Sequence, residues 1–265
     1  MDNLTVKLEK IFENAEGNWA VVLEDLNAKK SWNMNAHKTF FAASIIKLPI
    51  MATAFKMADK GLLKLSDTLE VKREDIVGGA GVIQHLSPGI KLSLYELLML
   101  MIIQSDNTAT NMIIDEIGIK GIQDTMLEVG MKNSTFYNKL MTVPVKMEGR
   151  NIITAHDVSL FLKKIATGKF SSYYACEQMI NMMKKQQIHY LTSTLPKKEE
   201  SFIGVQPEWM FASKTGSVTG VKHDVGILYM GERVVTVTVL SEECHQDSAL
   251  RVLSEIGKEL YLYMK

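Results

Sequence analysis

Strand-like runs cluster at the two ends of this chain and leave the middle to helices. Residues 19–26 and 30–35 near the start combine β-branched and aromatic residues with an alternating pattern, as do 209–214, 225–230 and 234–240 near the end. Asn27 and Ala28 fall at the first turn, and Gly231-Glu232 fits a two-residue hairpin with glycine leading. The alternation of valine and threonine over 235–239 suits a sheet whose two faces are differently occupied. Between the two groups, about 62–200, apolar residues recur at helical spacing, with periodic runs near 93–103, 107–117, 121–129, 155–166 and 172–184. Leu4, Leu8, Ile11 and Phe12 share one face of an opening helix, and Leu250, Leu253, Ile256, Leu260 and Tyr263 share one face of a closing helix. The expected fold class is α/β (α+β): an antiparallel sheet flanked by terminal helices, with an inserted all-α subdomain. The expected organisation is one domain over 1–265, with a sheet part at about 1–61 and 201–265, a helical subdomain at about 62–200, and a substrate cleft between them.

Composition narrows the partners. Thirty basic residues balance thirty acidic ones, so no global field recruits nucleic acid or an anionic membrane surface. The six histidines show no metal-ligand spacing, and neither a metal nor another cofactor is expected. Cys176 and Cys244 read as free thiols, with one long-range disulfide as the alternative. No apolar run reaches membrane-spanning length, and the first residues carry no basic leader followed by an apolar stretch. The expectation is a monomer without a membrane span, working in the cytoplasm or as the trimmed form of a secreted protein.

Three short strings carry the chemistry: Ser44-Ile45-Ile46-Lys47, Ser105-Asp106-Asn107 and Lys214-Thr215-Gly216. From Ser44 to about Asp59 the pattern is apolar nearly all round, so that helix is buried on most sides. Lys47 follows Ser44 by three residues and faces the same way. A poorly hydrated ammonium loses basicity, so a neutral Lys47 is available to take the proton of a Ser44 nucleophile. Backbone N–H groups at the helix start, that of Ser44 among them, can face a developing oxyanion. Pro49 implies that the first turn departs from regular α geometry. Ser105 relays a proton between Lys47 and a leaving nitrogen, and Asn107 binds a substrate amide. Lys214 and Thr215 bind a substrate carboxylate, Gly216 lets the substrate backbone come close, and the N–H of Ser217 is the second oxyanion donor. Each string taken singly also has an ordinary explanation, as a helix cap or as an edge lysine before a turn. Their joint occurrence in the order the mechanism requires favours the chemistry.

The three strings resemble those of class A serine β-lactamases and penicillin-binding proteins. The resemblance extends through Phe41-Ala42-Ala43-Ser44-Ile45-Ile46-Lys47-Leu48-Pro49, through Ser93-Leu94-Tyr95-Glu96-Leu97-Leu98 leading to Ser105, and through His223-Asp224 after Ser217. It implies acylation of Ser44 by a β-lactam ring or a D-alanyl peptide. The family's E-x-x-L-N string, whose glutamate activates the deacylating water, is not found. In the corresponding stretch, about 139–157, the one glutamate is Glu148, which reads as an exposed loop residue more readily than as a base. The expected activity is therefore a class A-type β-lactamase. A D,D-peptidase, an esterase-like relative or a β-lactam-acylated sensor with little turnover are the alternatives. His223 is read as a strand-entry polar residue or a helper in anion binding, and Gly78-Gly79-Ala80-Gly81 as a rim of the cleft rather than a phosphate loop.

Overall fold

The computed structural model describes residues 1–141, 149–196, 205 and 207–265. A five-stranded antiparallel sheet forms from both chain ends, as the strand distribution requires. Its strands are β1 (Asn18–Asp25), β2 (Lys30–Met34), β7 (Met210–Val218), β8 (Val221–Met230) and β9 (Arg233–Glu242), ordered β2-β1-β9-β8-β7. Strand β1 lies between its sequence neighbour and β9, with Val21 opposite Val239. Short pairs stand outside this sheet: β3 (Thr39–Phe41) with β6 (Ile152–Thr154), and β4 (Thr68–Glu70) with β5 (Lys91–Ser93).

Period-two alternation gives the sheet two buried faces. Val21, Leu23, Phe211, Leu228, Val235, Val237 and Val239 pack beneath α1 (Asp2–Glu13) and α8 (Gln246–Met264). Ala20, Val22, Ala212, Val225, Ile227 and Leu240 turn the other way and join the larger helical core. That core takes in α2 (Lys47–Asp59), α3 (Leu94–Ile103), α4 (Asn107–Ile117), α5 (Ile119–Val129), α6 (Ala155–Ala166) and α7 (Tyr173–Met183). Each of these helices lies within a residue or three of its sequence-predicted span. Helix α2 is buried continuously from Lys47 to Phe55, as an all-round apolar pattern demands. Among the described residues no helix is long and apolar enough to cross a membrane. Both cysteines are free: Cys176 lies in the helical core and Cys244 in the core under α8, on opposite sides of the sheet.

Two strand ends differ from the sequence expectation. Strand β7 does not stop at Lys214 but runs on to Val218, and β8 begins at Val221 rather than at 225. Gly216, Ser217, Thr219 and Gly220 dilute the hydrophobic signal, and the true turn is Thr219-Gly220, with Gly220 at φ +74°. The Gly231-Glu232 turn is as expected, with Met230 opposite Arg233 and Gly231 at φ +56°.

Candidate active site

Four of the residues singled out from sequence meet in one hydrogen-bonded cluster. The Lys47 Nζ lies 2.5 Å from the Ser105 carbonyl, 3.0 Å from the Ser105 Oγ and 3.0 Å from Asn107 Oδ1. Lys214 enters from the sheet, with its Nζ 3.2 Å from the same Ser105 Oγ and 2.8 Å from the Thr215 carbonyl. Neither lysine exposes any surface. Burial is the main force holding the Lys47 amine well below its ordinary pKa; the neighbouring Lys214 charge adds to it, and Asp106 opposes it. Burial likewise brings Lys214 down to about 7, against the counteracting Asp224 charge. A neutral Lys47 donates to the Ser105 carbonyl and to Asn107 and keeps a lone pair for a hydroxyl proton. Ser105 stands between the two amines, so a proton can pass through its hydroxyl in either direction.

Local geometry sets each part. A 3₁₀ turn, Ala43–Ile46, leads into α2, so the nucleophile segment does depart from α geometry before Pro49. Ala43 holds φ +42° and Ser105 φ +55°, left-handed conformations that non-glycine residues take at a cost of about 1–3 kcal/mol each. Ser105 belongs to this cluster, and Ala43 lies beside Gly216 of β7. Ser44 itself is half-buried and sits in that 3₁₀ turn, against β7. A Cβ on Gly216 would come within 3.2 Å of Ala43 Cβ, Ile45 Cγ1 and His223 Cδ2. Gly216 is thus glycine so that β7 can approach the turn carrying Ser44, a contact within the protein itself.

Ser217 is exposed, opposite Lys222 in the hairpin. The backbone of Lys222 turns toward β9, where its N–H donates to Ser241 Oγ and its carbonyl accepts from the same hydroxyl. By antiparallel alternation the N–H and carbonyl of Ser217 therefore point away from β8, onto the free edge of β7.

Asp106 caps α4 through the Ala109 N–H at 2.9 Å, and its second oxygen accepts from Val82 at 2.7 Å and Ile83 at 2.8 Å. This carboxylate draws the glycine run over the cluster. Asn107 accepts on its Oδ1 from Lys47, donates from Nδ2 to the Gly78 carbonyl at 3.1 Å, and keeps one amide hydrogen for another acceptor. The run 78–81 is a rim of the site, and Gly81, at φ +112° with Asp106 atoms 2.4 Å from any Cβ, must be glycine.

His223 is no anion-binding helper. It is fully buried, its Nδ1 accepts from the Ser241 N–H at 3.1 Å, and its Nε2 donates to the Phe41 carbonyl at 2.8 Å. Burial lowers its pKa to about 4, so it stays neutral and ties β3 to the sheet.

Sequence reasoning missed Lys222. Its Nζ donates to Ser217 Oγ at 2.8 Å and lies 4.9 Å from the centre of the Tyr190 ring, which places a second cation beside the Lys214-Thr215-Gly216 segment. The register of the Thr219-Gly220 hairpin would have revealed it, but that turn was not read. Asn111, one helical turn beyond Asn107, also went unnoticed. It pairs with both backbone groups of Leu140, at 2.9 Å each. Asn151 accepts from the Tyr137 and Asn138 N–H groups and donates to the Asn138 carbonyl, so it binds the far end of the same loop to its start. Glu148 lies outside the described residues.

A model described as "Beta-lactamase enzyme family" matches residues 3–264. A β-lactamase of Bacillus amyloliquefaciens is 24% identical over 250 residues, 92% of this chain and 76% of that protein. The crystal structure of the β-lactamase from Sphaerobacter thermophilus DSM 20745 superposes with a TM-score of 0.89 at 27% identity, covering 99% of this chain and 97% of the other. The structure of PBP-A superposes at 0.85 with 25% identity, covering 99% and 96%. The fold is that of the serine β-lactamases and transpeptidases, and the chain belongs to the β-lactamase enzyme family.

Proposed function

We propose that this protein is a serine hydrolase of the class A β-lactamase type, which opens a β-lactam ring through an acyl-Ser44 intermediate. The observation that carries this reading is the buried Lys47 amine, held by Ser105 and Asn107 and made less basic by burial and by Lys214. Neutral Lys47 takes the Ser44 proton as Oγ attacks the ring carbonyl. The N–H groups of Ser44 and Ser217 receive the oxyanion. The proton then passes from Lys47 through the Ser105 hydroxyl to the ring nitrogen as the amide bond breaks, leaving a Ser44 ester. Protonated Lys214, with Thr215, holds the substrate carboxylate, and Asn107 offers its remaining amide hydrogen to the acyl side chain. Hydrolysis of the ester returns Ser44.

A second reading keeps the acylation and slows the release: a D,D-peptidase-like or sensor protein that holds its acyl group. It is favoured by the lack of an E-x-x-L-N string in the chain and by Leu140, whose backbone Asn111 holds one turn from Asn107 and whose apolar side chain can supply no base. The two readings separate when a chromogenic cephalosporin is followed by colour and by intact mass together. Sustained colour with little adduct supports the hydrolase. One equivalent of colour with a lasting mass increase supports the second reading, and Leu140→Glu should then shorten the life of the adduct at least tenfold. An adduct formed undiminished by Ser44→Ala would remove Ser44 as nucleophile.

A further inference from the structure

One buried amide spans the two halves of the site. Gln186 follows α7 in a stretch that no motif marks, and it is only 4% exposed. Its Nε2 donates to the Ile102 carbonyl at 2.9 Å and to the Ser213 carbonyl at 3.3 Å. Its Oε1 accepts from the N–H groups of Gln187 at 3.0 Å and Ile188 at 3.1 Å. Both amide hydrogens and both oxygen lone pairs are engaged, which fixes the way round that the amide lies.

The two carbonyls are ones that regular structure leaves open. Ile102 stands in the last turn of α3, whose final carbonyls lie beyond the reach of helical partners. Ser213 lies on the edge strand β7 and shares with Ser217 the alternation that turns its carbonyl off the sheet. Their places in the chain matter more. Ile102 precedes Ser105 by three residues, and Ser213 immediately precedes Lys214. Gln186 thus links the stretch carrying the relay hydroxyl to the strand carrying the second amine, beside the 3.2 Å contact between Ser105 Oγ and Lys214 Nζ. That stretch has little regular structure of its own, because α3 ends at Ile103 and Ser105 sits at φ +55°. An exposed bond from Gln104 Nε2 to Gln187 Oε1 joins the same two segments at the surface.

We infer that Gln186 is a positioning residue that sets the gap between Ser105 and Lys214, and through it the proton relay between the two buried lysines. This inference rests on the acyl-transfer reading of the site. The charged groups that act on Lys47 are Lys214 from β7 and Asp106 at the start of α4. Without the brace, β7 and the end of α3 part and the Ser105–Lys214 contact lengthens. The repulsion that helps to keep Lys47 weakly basic then fades. A misplacement of about 1 Å among reacting groups is worth on the order of a hundredfold in rate.

The test follows acylation of the intact chain by a chromogenic cephalosporin, read as adduct formed per unit time by mass, from about pH 5 to 8. Gln186→Met nearly keeps the volume and removes all four hydrogen bonds. Acylation should fall at least tenfold. The acid limb of its pH profile should also move up by about half a pH unit, because a more basic Lys47 holds its proton longer. Gln186→Asn, whose amide is one carbon too short to span both carbonyls, should give a smaller loss with the same direction of shift, and it carries the test if Gln186→Met does not fold. Gln187→Ala, which cuts only the surface bond, should stay within about twofold of the wild type. Slowing by one factor at every pH, an unchanged rate in both Gln186 variants, or an equal loss in Gln187→Ala would overturn the inference and leave the acyl-transfer reading intact. No adduct on the wild type would overturn both.

Discussion

Lys214 is the residue at which charge and function meet most directly. With its pKa brought to about 7, it carries its full charge only on the acid side of neutrality. Acylation by a carboxylate-bearing β-lactam should therefore weaken above pH 7, approaching a tenfold loss per pH unit, while the acid limb reports protonation of Lys47. A rate that stays flat from pH 7 to 9 would remove Lys214 from anion binding. Gly216 makes a steric prediction. Gly216→Val would press on Ala43, Ile45 and His223, all within 3.2 Å of its Cβ, and displace the turn carrying Ser44. The cost should be about 1–3 kcal/mol in a denaturant titration, and acylation should fall at least tenfold. The meeting of Lys47, Ser105 and Lys214 in one cluster was legible because their strings are short and ordered in the chain. Lys222 and Tyr190 were not: their partnership is a cross-chain contact between a hairpin and a loop, with no local spacing to advertise it.

Among the elements, α4 does more than its apolar pattern suggests. Its capping carboxylate, Asp106, holds three backbone N–H groups, two of them directly after the 78–81 rim. Asp106→Ala strands those donors and removes a helix cap. About 2–4 kcal/mol of stability should be lost, with a slower acylation as Asn107 loses its support. Thermal unfolding and adduct formation measured on one preparation check both; an unchanged midpoint would refute the capping argument. Helices were the most readable elements, because a buried face recurs every three or four residues whatever it packs on. The strands at the site were read short. Gly216 and Ser217 sit late in β7 and the polar run Lys222-His223-Asp224 opens β8; packing against the Ser44 turn demands the glycine, and propensity argues against strand at all of them. Strands β3 to β6, three residues each, carry too few residues for any periodicity to show.

At the scale of the molecule, two buried lysines set a pH dependence for stability. Between about pH 7 and the ordinary lysine value of 10.5, the unfolded chain binds a proton at Lys214 that the folded chain does not. Stability should therefore rise with pH across that window, with Lys47 acting in the same direction. Lys214→Met should raise the midpoint of thermal unfolding at pH 7 by several degrees while abolishing the preference for anionic substrates. A midpoint unchanged between pH 7 and 9.5 in the wild type would contradict the assignment. The sheet order has a consequence of another kind. Strand β1 has β9 as its inner neighbour, so residues 18–25 wait for residues 233–242. On a ribosome adding about 5–20 residues per second, the first hairpin is complete many seconds before that neighbour exists. Through that interval the apolar faces of Val21, Val22 and Leu23 have no sheet to join. Synthesis thus has a built-in vulnerable period, and the chain's yield in a cell should depend on chaperones that shield its first strands more than on the stability of the finished fold.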